Sequence, residues 1–192
     1  MARPVLRYGG SFAALTIPPE GAIIEVPPGT YEDRWLVRTN GVVTIRWLDP
    51  TEPRPKFFGS FALRGPARVD LGKGTGALEL VGLELASPTG LPSMDGVVFA
   101  DGARLVAEDL LIRGFKNGII GSHIPPTKST DVVIRRTELS NNGRGDNYTH
   151  NIYMSRVHRL TVEDCYSYDA RGGVALKHIA RHALIQRNRL SN

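Results

Sequence analysis

The sequence predicts an all-β solenoid, in which short strands stack in parallel coils around a common core. A strand-like segment with alternating apolar residues begins at Leu78, Leu105, Val132 and Leu160, at spacings of 27, 27 and 28 residues (78 to 105, 105 to 132, 132 to 160). Repeats of about 20 to 50 residues are typical of solenoids. The chain also contains 21 Gly and 13 Pro, which suit many short strands joined by turns. No segment has the apolar periodicity of a long helix.

Every repeat contains another strand-like segment, which opens with a small or polar residue. These segments cover 96–100, 118–122, 151–155 and 173–177, and a partial copy of the repeat closes the chain at 183–188. Superposition of the copies aligns Ile119, Ile152 and Val174, and parallel coils produce such stacks of like residues. An antiparallel sandwich is the alternative, because Asn-Gly and Asp-Gly pairs typical of hairpins occur at 40–41, 95–96, 101–102, 117–118 and 142–143. The register of the repeats favours the parallel coils.

We expect the whole chain, residues 1–192, to form one domain, since this length is usual for a single domain. Residues 1–21 are expected to be an N-terminal cap region with a short helix near 10–15, and 22–47 the first coil. The proline-rich segment that begins at Leu48 cannot be a central strand. The interpretation is therefore an irregular loop region over 48–75 and regular coils over 76–192.

The chain carries a net charge of +5, from 24 basic and 19 acidic residues. Long-range attraction favours an acidic partner, either an acidic polysaccharide or a nucleic acid, and no aromatic-basic motif supports the nucleic acid. No apolar run has the length of a membrane span or of a signal peptide, so no membrane partner is predicted. The single cysteine, Cys165, excludes an internal disulfide and is expected to be a buried core thiol.

Two segments resemble the right-handed, single-stranded parallel β-helix of the pectate-lyase-like superfamily. Residues 24–31, Ile-Glu-Val-Pro-Pro-Gly-Thr-Tyr, are similar to the first coil of many members. The stretch from Thr-His-Asn-Ile-Tyr at 149–153 to Val-Ala-Leu-Lys at 174–177 is similar to a bacterial branch. The resemblance covers most of 20–192, implies the fold and favours a secreted or periplasmic location. It does not settle the reaction, because the superfamily contains lyases, hydrolases, epimerases, esterases and non-catalytic adhesins.

The last coil differs from the superfamily pattern. Members usually continue for several more coils and finish with a cap, whereas this sequence stops at Asn192 inside a coil. An uncapped coil exposes unpaired strand edges, which proteins normally cover. The alternatives are a fragment, a short natural form and a homo-oligomer that covers the C-terminal coil, and we expect the fragment or the homo-oligomer.

Strand alternation places the candidate site on one outer face of the coils. The residues expected to point inward are Ile152, Met154, Val174 and Leu176. The residues expected to point outward are Asn151, Tyr153, Ser155, Ala175 and Lys177. Superposition aligns Lys177 with Ser155, so Tyr153 and Lys177 should share the outer face one coil apart, at about 4.8 Å per coil.

The turn before this face is longer in one copy than in the others. Residues 140–150 form an expanded loop, whereas the neighbouring copies use only 113–117 and 168–172. Expansion of one turn in a solenoid usually builds a binding surface. The loop contributes Arg144, Asp146, Tyr148 and His150, and the equivalent turn one coil later contributes Asp169 and Arg171.

The resemblance implies catalytic or carboxylate-binding roles for five residues of this face. β-Elimination of a uronate requires a cation on the carboxylate, a base for the C5 proton and an acid for the leaving oxygen. Lyases of the superfamily often use Lys or Arg as the base and Ca²⁺ as the cation. The resemblance therefore implies Lys177 as the base and Arg144 or Arg171 on the carboxylate, for which the arginine fork is suited. Tyr153 or His150 would serve as acid or base instead.

Two other chemistries receive less support. Glycoside hydrolysis requires two carboxylates about 5–9.5 Å apart. Asp146 and Asp169 are expected in adjacent turns, which is compatible with that separation, but the compact aspartate cluster of the superfamily's hydrolases is not found. The histidines do not form a metal-binding pattern, and no metal ligand is predicted. The resemblance leaves Ca²⁺ open, although the spacing of the acidic residues does not support it.

The predicted function is a carbohydrate-active protein, most directly a polysaccharide lyase that acts on an acidic, uronate-containing glycan at the 140–177 face. The alternative is a non-catalytic β-helix that binds glycan or self-assembles as a structural or adhesin-type module. Exposed arginine and tyrosine side chains serve either function.

Overall fold

The chain folds as an all-β parallel β-helix. The computed structural model describes residues 2–33, 35–64, 76–87, 94–99, 102–121 and 130–191. The strands are β1 (Val5–Arg7), β2 (Gly21–Val26), β3 (Thr30–Tyr31), β4 (Trp35–Arg38), β5 (Val42–Trp47), β6 (Lys56–Phe58), β7 (Phe61–Arg64), β8 (Ala77–Val81), β9 (Glu84–Ala86), β10 (Val97–Phe99), β11 (Arg104–Glu108), β12 (Leu111–Arg113), β13 (Ile119–Gly121), β14 (Asp131–Arg135), β15 (Glu138–Ser140), β16 (Ile152–Ser155), β17 (Arg159–Glu163), β18 (Tyr166–Tyr168), β19 (Leu176–Ile179), β20 (His182–Gln186) and β21 (Arg189–Leu190).

These strands form three parallel sheets, named A, B and C in the order in which each coil visits them. Sheet A contains β1, β2, β5, β8, β11, β14, β17 and β20; sheet B contains β3, β6, β9, β12, β15, β18 and β21; sheet C contains β4, β7, β10, β13, β16 and β19. Each strand pairs with the equivalent strand of the coil before and after it, so one coil is one strand from each sheet.

Like residues stack along the core, as the repeats predict. Leu78 pairs with Leu105, Leu105 with Val132 and Val132 with Leu160, and all four side chains are buried. Burial of one such side chain contributes about 1.5–3 kcal/mol, and no coil can bury its inner face without its neighbours. The predicted register of sheet A is therefore confirmed.

An aromatic cluster covers the N-terminal end of this core. Phe12 lies in a short 3₁₀ helix (Phe12–Ala14), and its ring stacks on Trp35 with centroids 4.8 Å apart. Asp33 anchors the segment, because its Oδ2 accepts hydrogen bonds from the Phe12 backbone N–H at 2.9 Å and from the Tyr8 hydroxyl at 3.0 Å. Residues near 10–15 thus form the short helix expected there, and they cover the first coil.

Two features differ from the sequence interpretation. Sheet B was not predicted as a separate sheet, because most of its strands have three residues or fewer and are too short to show an alternating pattern. The 48–75 region is not irregular throughout, since β6 and β7 lie in it and complete the second coil. Proline-rich 48–55 is the loop before β6, and residues 65–75 lie outside the described residues, as do 100 and 122.

The last described coil leaves apolar side chains exposed. These residues are Ile179, Leu184, Ile185 and Leu190. Self-association through this coil stays a prediction. In the part of the chain that the structure describes, no helix combines the length and the apolar character that a membrane crossing requires.

Candidate functional site

Lys177 and Tyr153 are direct neighbours on the outer face of sheet C. In the register between β16 and β19, Tyr153 pairs with Lys177 and Ile152 with Leu176. The Lys177 ammonium lies 5.5 Å from the centroid of the Tyr153 ring, within the range of a cation–π contact. The predicted alignments of Lys177 with Ser155 and of Val174 with Ile152 are therefore each wrong by two residues. The correction brings the Tyr153 and Lys177 side chains closer together.

Three residues that were expected to point outward are buried. Asn151, Ser155 and Ala175 are 0%, 5% and 6% exposed. Asn151 precedes β16 and Ala175 precedes β19, so simple strand alternation does not apply to them. Val174, which was expected to point inward, is 39% exposed.

A buried amide network fixes the start of β16. The side-chain Oδ1 of Asn151 accepts hydrogen bonds from Asn142, from the side-chain Nδ2 at 2.8 Å and the backbone N–H at 3.3 Å. Its Nδ2 lies within hydrogen-bond distance of Ser167 Oγ at 3.0 Å and the Tyr168 carbonyl at 2.9 Å. Asn142 Oδ1 in turn accepts the Phe115 N–H at 2.9 Å. Because buried polar groups require partners, this network holds the 140–150 loop against three successive coils.

The exposed part of the loop is ordered by its own hydrogen bonds. Asp146 Oδ1 accepts from the Thr149 hydroxyl at 2.8 Å and from the Tyr148 N–H at 3.0 Å. The Arg144 N–H donates to Thr149 Oγ1 at 2.7 Å. The hydrogen bond from Thr149, followed by that from Tyr148, lowers the pKa of Asp146 below its usual value. Asp146 is therefore a structural carboxylate of the loop, and it stays ionised at neutral pH.

These side chains border a groove on sheet C with a volume of about 430 Å³, within the range of ligand pockets. Among the described residues it is lined by Lys116, Asn117, Ile120, Arg144, Asp146, Tyr148, Thr149, Tyr153 and Lys177. Three cations therefore face one carboxylate, and Tyr148 is 81% exposed at the rim. We call this feature the sheet C groove.

His150 lies behind the sheet C groove and is 3% exposed. Its Nδ1 accepts the Val174 N–H at 3.1 Å, so the neutral ring carries its proton on Nε2. That Nε2 is buried without a hydrogen-bond partner among the described residues. The ring contacts Tyr153 edge-on, with centroids 5.5 Å apart. Burial, together with the charge of Lys177, lowers the pKa of His150, so the ring is neutral at physiological pH.

Asp169 and Arg171 do not line the sheet C groove. The turn that carries them contacts the 140–150 loop through the backbone, since the Arg171 N–H donates to the Asn142 carbonyl at 2.7 Å and the Gly145 N–H donates to the Arg171 carbonyl at 3.0 Å. A side chain at Gly143 would lie 2.4 Å from that same Arg171 carbonyl oxygen. The two turns therefore stack, and the second one supports the loop that forms the groove.

Sequence reasoning missed Lys116 and Asn117. Lys116 adds a third cation to the groove. Asn117 Oδ1 accepts the His150 N–H at 2.8 Å, and its Nδ2 donates to Asp95 at 2.8 Å. Both residues lie in the 113–117 turn, which the sequence analysis used only as the short reference for the expanded loop. Their position one coil before that loop was the available signal.

No group of three or more His, Cys, Asp or Glu side chains within the described ranges is arranged to hold a metal ion. His158 and His182 do contact each other, with ring centroids 5.2 Å apart, but they lie at the start of sheet A strands, away from the groove.

Comparison with known proteins finds no relative of the chain. No protein-family model, no curated protein and no solved structure matches the chain. The site is thus interpreted from its own geometry.

The burial of His150 predicts a pH-dependent stability. Because the folded-state pKa of His150 is lowered, the unfolded chain binds its proton first as the pH falls below about 6.5. The free energy of unfolding should therefore decrease below this pH, with a slope of at most about 1.4 kcal/mol per pH unit from this residue.

His150→Asn, which retains an acceptor near the Val174 N–H, should flatten that slope in urea titrations at several pH values. His178→Asn removes an exposed imidazole and is the control. An unchanged slope in His150→Asn would contradict this assignment.

Proposed function

We propose that the sheet C groove binds an acidic, uronate-containing polysaccharide and cleaves it by β-elimination, and that the chain is a member of the pectate-lyase-like superfamily. The observation that carries the proposal is the meeting of Lys177, Tyr153 and Arg144 in one groove of about 430 Å³. Lys116 adds positive charge there, which favours a polyanion over a neutral chain. The parallel β-helix architecture supports the superfamily assignment.

The groove contains a group for each step of the elimination. Arg144, with Lys116, neutralises the uronate carboxylate and makes the C5 proton more acidic. The Lys177 amine, after release of its own proton to solvent, removes the C5 proton, and the electron pair forms a double bond between C4 and C5. The bond between C4 and the glycosidic oxygen breaks, and the leaving oxygen takes a proton from the Tyr153 hydroxyl.

His150 has a positioning role in this proposal. Its ring is buried and has no open path to a substrate, whereas it contacts the Tyr153 ring at a centroid distance of 5.5 Å. His150 therefore fixes the orientation of Tyr153 and does not itself exchange a proton with the sugar. Asp169 and Arg171 support the loop, so the carboxylate clamp is assigned to Arg144.

A second candidate is a non-catalytic glycan-binding module. The largely exposed ring of Tyr148 at the rim favours it, because aromatic side chains offer contact area to a sugar at low conformational cost. The Lys177–Tyr153 contact serves binding as well as proton transfer.

The test is incubation of the protein with pectate, alginate and glycosaminoglycans, with dextran as the neutral control. Lyase activity on any of the acidic polymers would raise the ultraviolet absorbance of the mixture, because the unsaturated uronate product has a conjugated double bond that the substrate lacks. If the protein is retained on an immobilised acidic polymer but the absorbance does not rise, the result would favour the glycan-binding module over the lyase. Absence of both binding and product on every acidic polymer would overturn the proposal.

A further inference from the structure

A second concavity lies at the corner between sheets A and B, away from the sheet C groove. Its volume is about 420 Å³, and it is lined among the described residues by Arg46, Trp47, Leu48, Pro50, Arg54, Val81, Gly82 and Asp109. The wall therefore combines one indole ring with two guanidinium groups. We call this feature the corner pocket.

The pocket exists because one coil lacks a side chain at the corner. The residue that follows each sheet A strand has a left-handed backbone in five successive coils: Gly82, Asp109, Arg136, Asp164 and Arg187. The last four carry charged side chains that pair along the corner, such as Arg136 with Asp109 at 2.9 Å and Arg187 with Asp164 at 2.6 Å. Gly82 contributes none, and a Cβ there would lie 3.0 Å from the Cβ of Trp47. The Trp47 side chain packs over this glycine.

The charges of the corner pocket leave one cation without a carboxylate. Arg46 pairs with Glu25 at 2.6 Å, and Asp109 pairs with Arg136. Arg54 makes no ion pair with any described residue; its guanidinium carbon lies 5.7 Å from the centroid of the Trp47 ring. The proline-rich 48–55 loop carries Arg54, so that loop supplies the cation and β5 supplies the ring.

The indole of Trp47 also has an unused donor. Its Nε1 is buried without a hydrogen-bond partner among the described residues, whereas a buried indole N–H usually finds one. A ligand that pairs with Arg54 must offer acceptor oxygens and a negative charge, while the indole N–H is covered by the protein and is not open to that ligand. The indole next to this cation further favours a sugar ring whose C–H groups contact the accessible part of the indole.

We infer that the corner pocket is a binding site for a single acidic sugar residue, with its carboxylate on Arg54 and its ring against Trp47. The choice of a uronate as the ligand rests on the proposed function, while the site itself rests on Trp47, Arg54 and Gly82. Asp109 is the carboxylate among the described residues of the pocket wall, and it is paired with Arg136. The role of the pocket is therefore to hold a polymer at a second point. Two attachment points on one chain raise the overall affinity for a long substrate through effective concentration.

The test is nuclear magnetic resonance of the indole N–H groups, of which the chain has two, from Trp35 and Trp47. Trp47→Phe assigns the two signals. Glucuronate should shift the Trp47 signal in a saturable way and leave the Trp35 signal in place, whereas glucose at the same concentration should have no effect. Arg54→Gln should weaken glucuronate binding by about tenfold or more, since a hydrogen bond to a charged group is lost.

Lys177→Ala separates this inference from the proposed function. The variant removes a central group of the sheet C groove, yet it should leave the glucuronate shift of Trp47 unchanged. If the wild-type protein shows a saturable Trp47 shift but no lyase activity, the result would support the corner pocket and count against the lyase function of the sheet C groove. No shift, an equal shift with glucose, or full affinity in Arg54→Gln would overturn the corner pocket.

Discussion

Lys177→Ala is expected to lower the turnover of an acidic polysaccharide by about 10²- to 10⁴-fold, the usual contribution of a general base. Lys177 is exposed on β19, pairs with Tyr153 across the coil and borders the sheet C groove with Arg144. Removal of its amine leaves the carboxylate clamp in place and removes the proton acceptor. The loss should therefore appear in kcat, while KM changes little.

Lys116→Ala is the matched control for this variant. It removes a positive charge from the same groove and leaves the Lys177–Tyr153 pair intact. Because its charge acts on the bound carboxylate, its loss should raise KM more than it lowers kcat. Steady-state kinetics of both variants show whether Lys177 acts as the base or only binds the substrate. If Lys177→Ala and Lys116→Ala change KM alike and leave kcat near the wild-type value, Lys177 is a binding residue and not the base.

Asn151→Leu is expected to destabilise the protein by about 3–5 kcal/mol, which is a large part of the 5–15 kcal/mol that holds an ordinary domain together. Leucine has a similar shape but no hydrogen-bonding groups. The substitution would remove the acceptor of the Asn142 backbone N–H, one of the two acceptors of the Asn142 side-chain amide and one of the two partners of Ser167 Oγ. Each buried unsatisfied group costs about 1–3 kcal/mol. Urea unfolding, read as the shift of the midpoint, measures the effect.

Ser167→Ala provides a graded comparison within the same network. It removes one contact to Asn151, at 3.0 Å, and one donor to the Ala175 carbonyl, at 3.1 Å, so its cost should be smaller than that of Asn151→Leu. The two substitutions share partners, and their effects should not add in the double variant. A free energy of unfolding within about 0.5 kcal/mol of the wild type in Asn151→Leu would show that the network is not required.

The sequence was most informative where strands are long. Sheet A strands of five or six residues show clear alternation, and their register from Leu78 to Leu160 could be predicted. Sheet B strands of two or three residues have no readable period. Their stacking against the previous coil, which is a tertiary effect, defines them as strands.

The sequence predicts the sheet face on which the candidate site lies, but not which residues of β16 and β19 pair with each other. Alternation placed Tyr153 and Lys177 on one outer face, which the structure confirms. Their pairing depends on the length of the turn before β19, where Gly173 passes so close to the previous coil that a Cβ would lie 1.8 Å from the Thr149 carbonyl oxygen. Superposition of the sequence copies could not show that residues 173–175 belong to the turn and not to β19.

Asn151 illustrates why polar core residues are hard to predict. Its residue type and the alternation of 151–155 both predict an exposed side chain, yet it is fully buried. Its burial depends on partners from three other segments, Asn142, Leu139 and Ser167 to Tyr168. Hydrogen bonds over such separations are not visible as a local pattern.

The most direct test of the central claim is a crystal structure of Lys177→Ala with an acidic oligosaccharide of the polymer that the protein binds most tightly. The account predicts a chain of sugar units along sheet C, with one carboxylate within hydrogen-bond distance of Arg144 and a C5 atom facing the position of the missing Lys177 amine. An oligosaccharide that lies on another face and leaves Arg144 and Tyr153 without contact would contradict it.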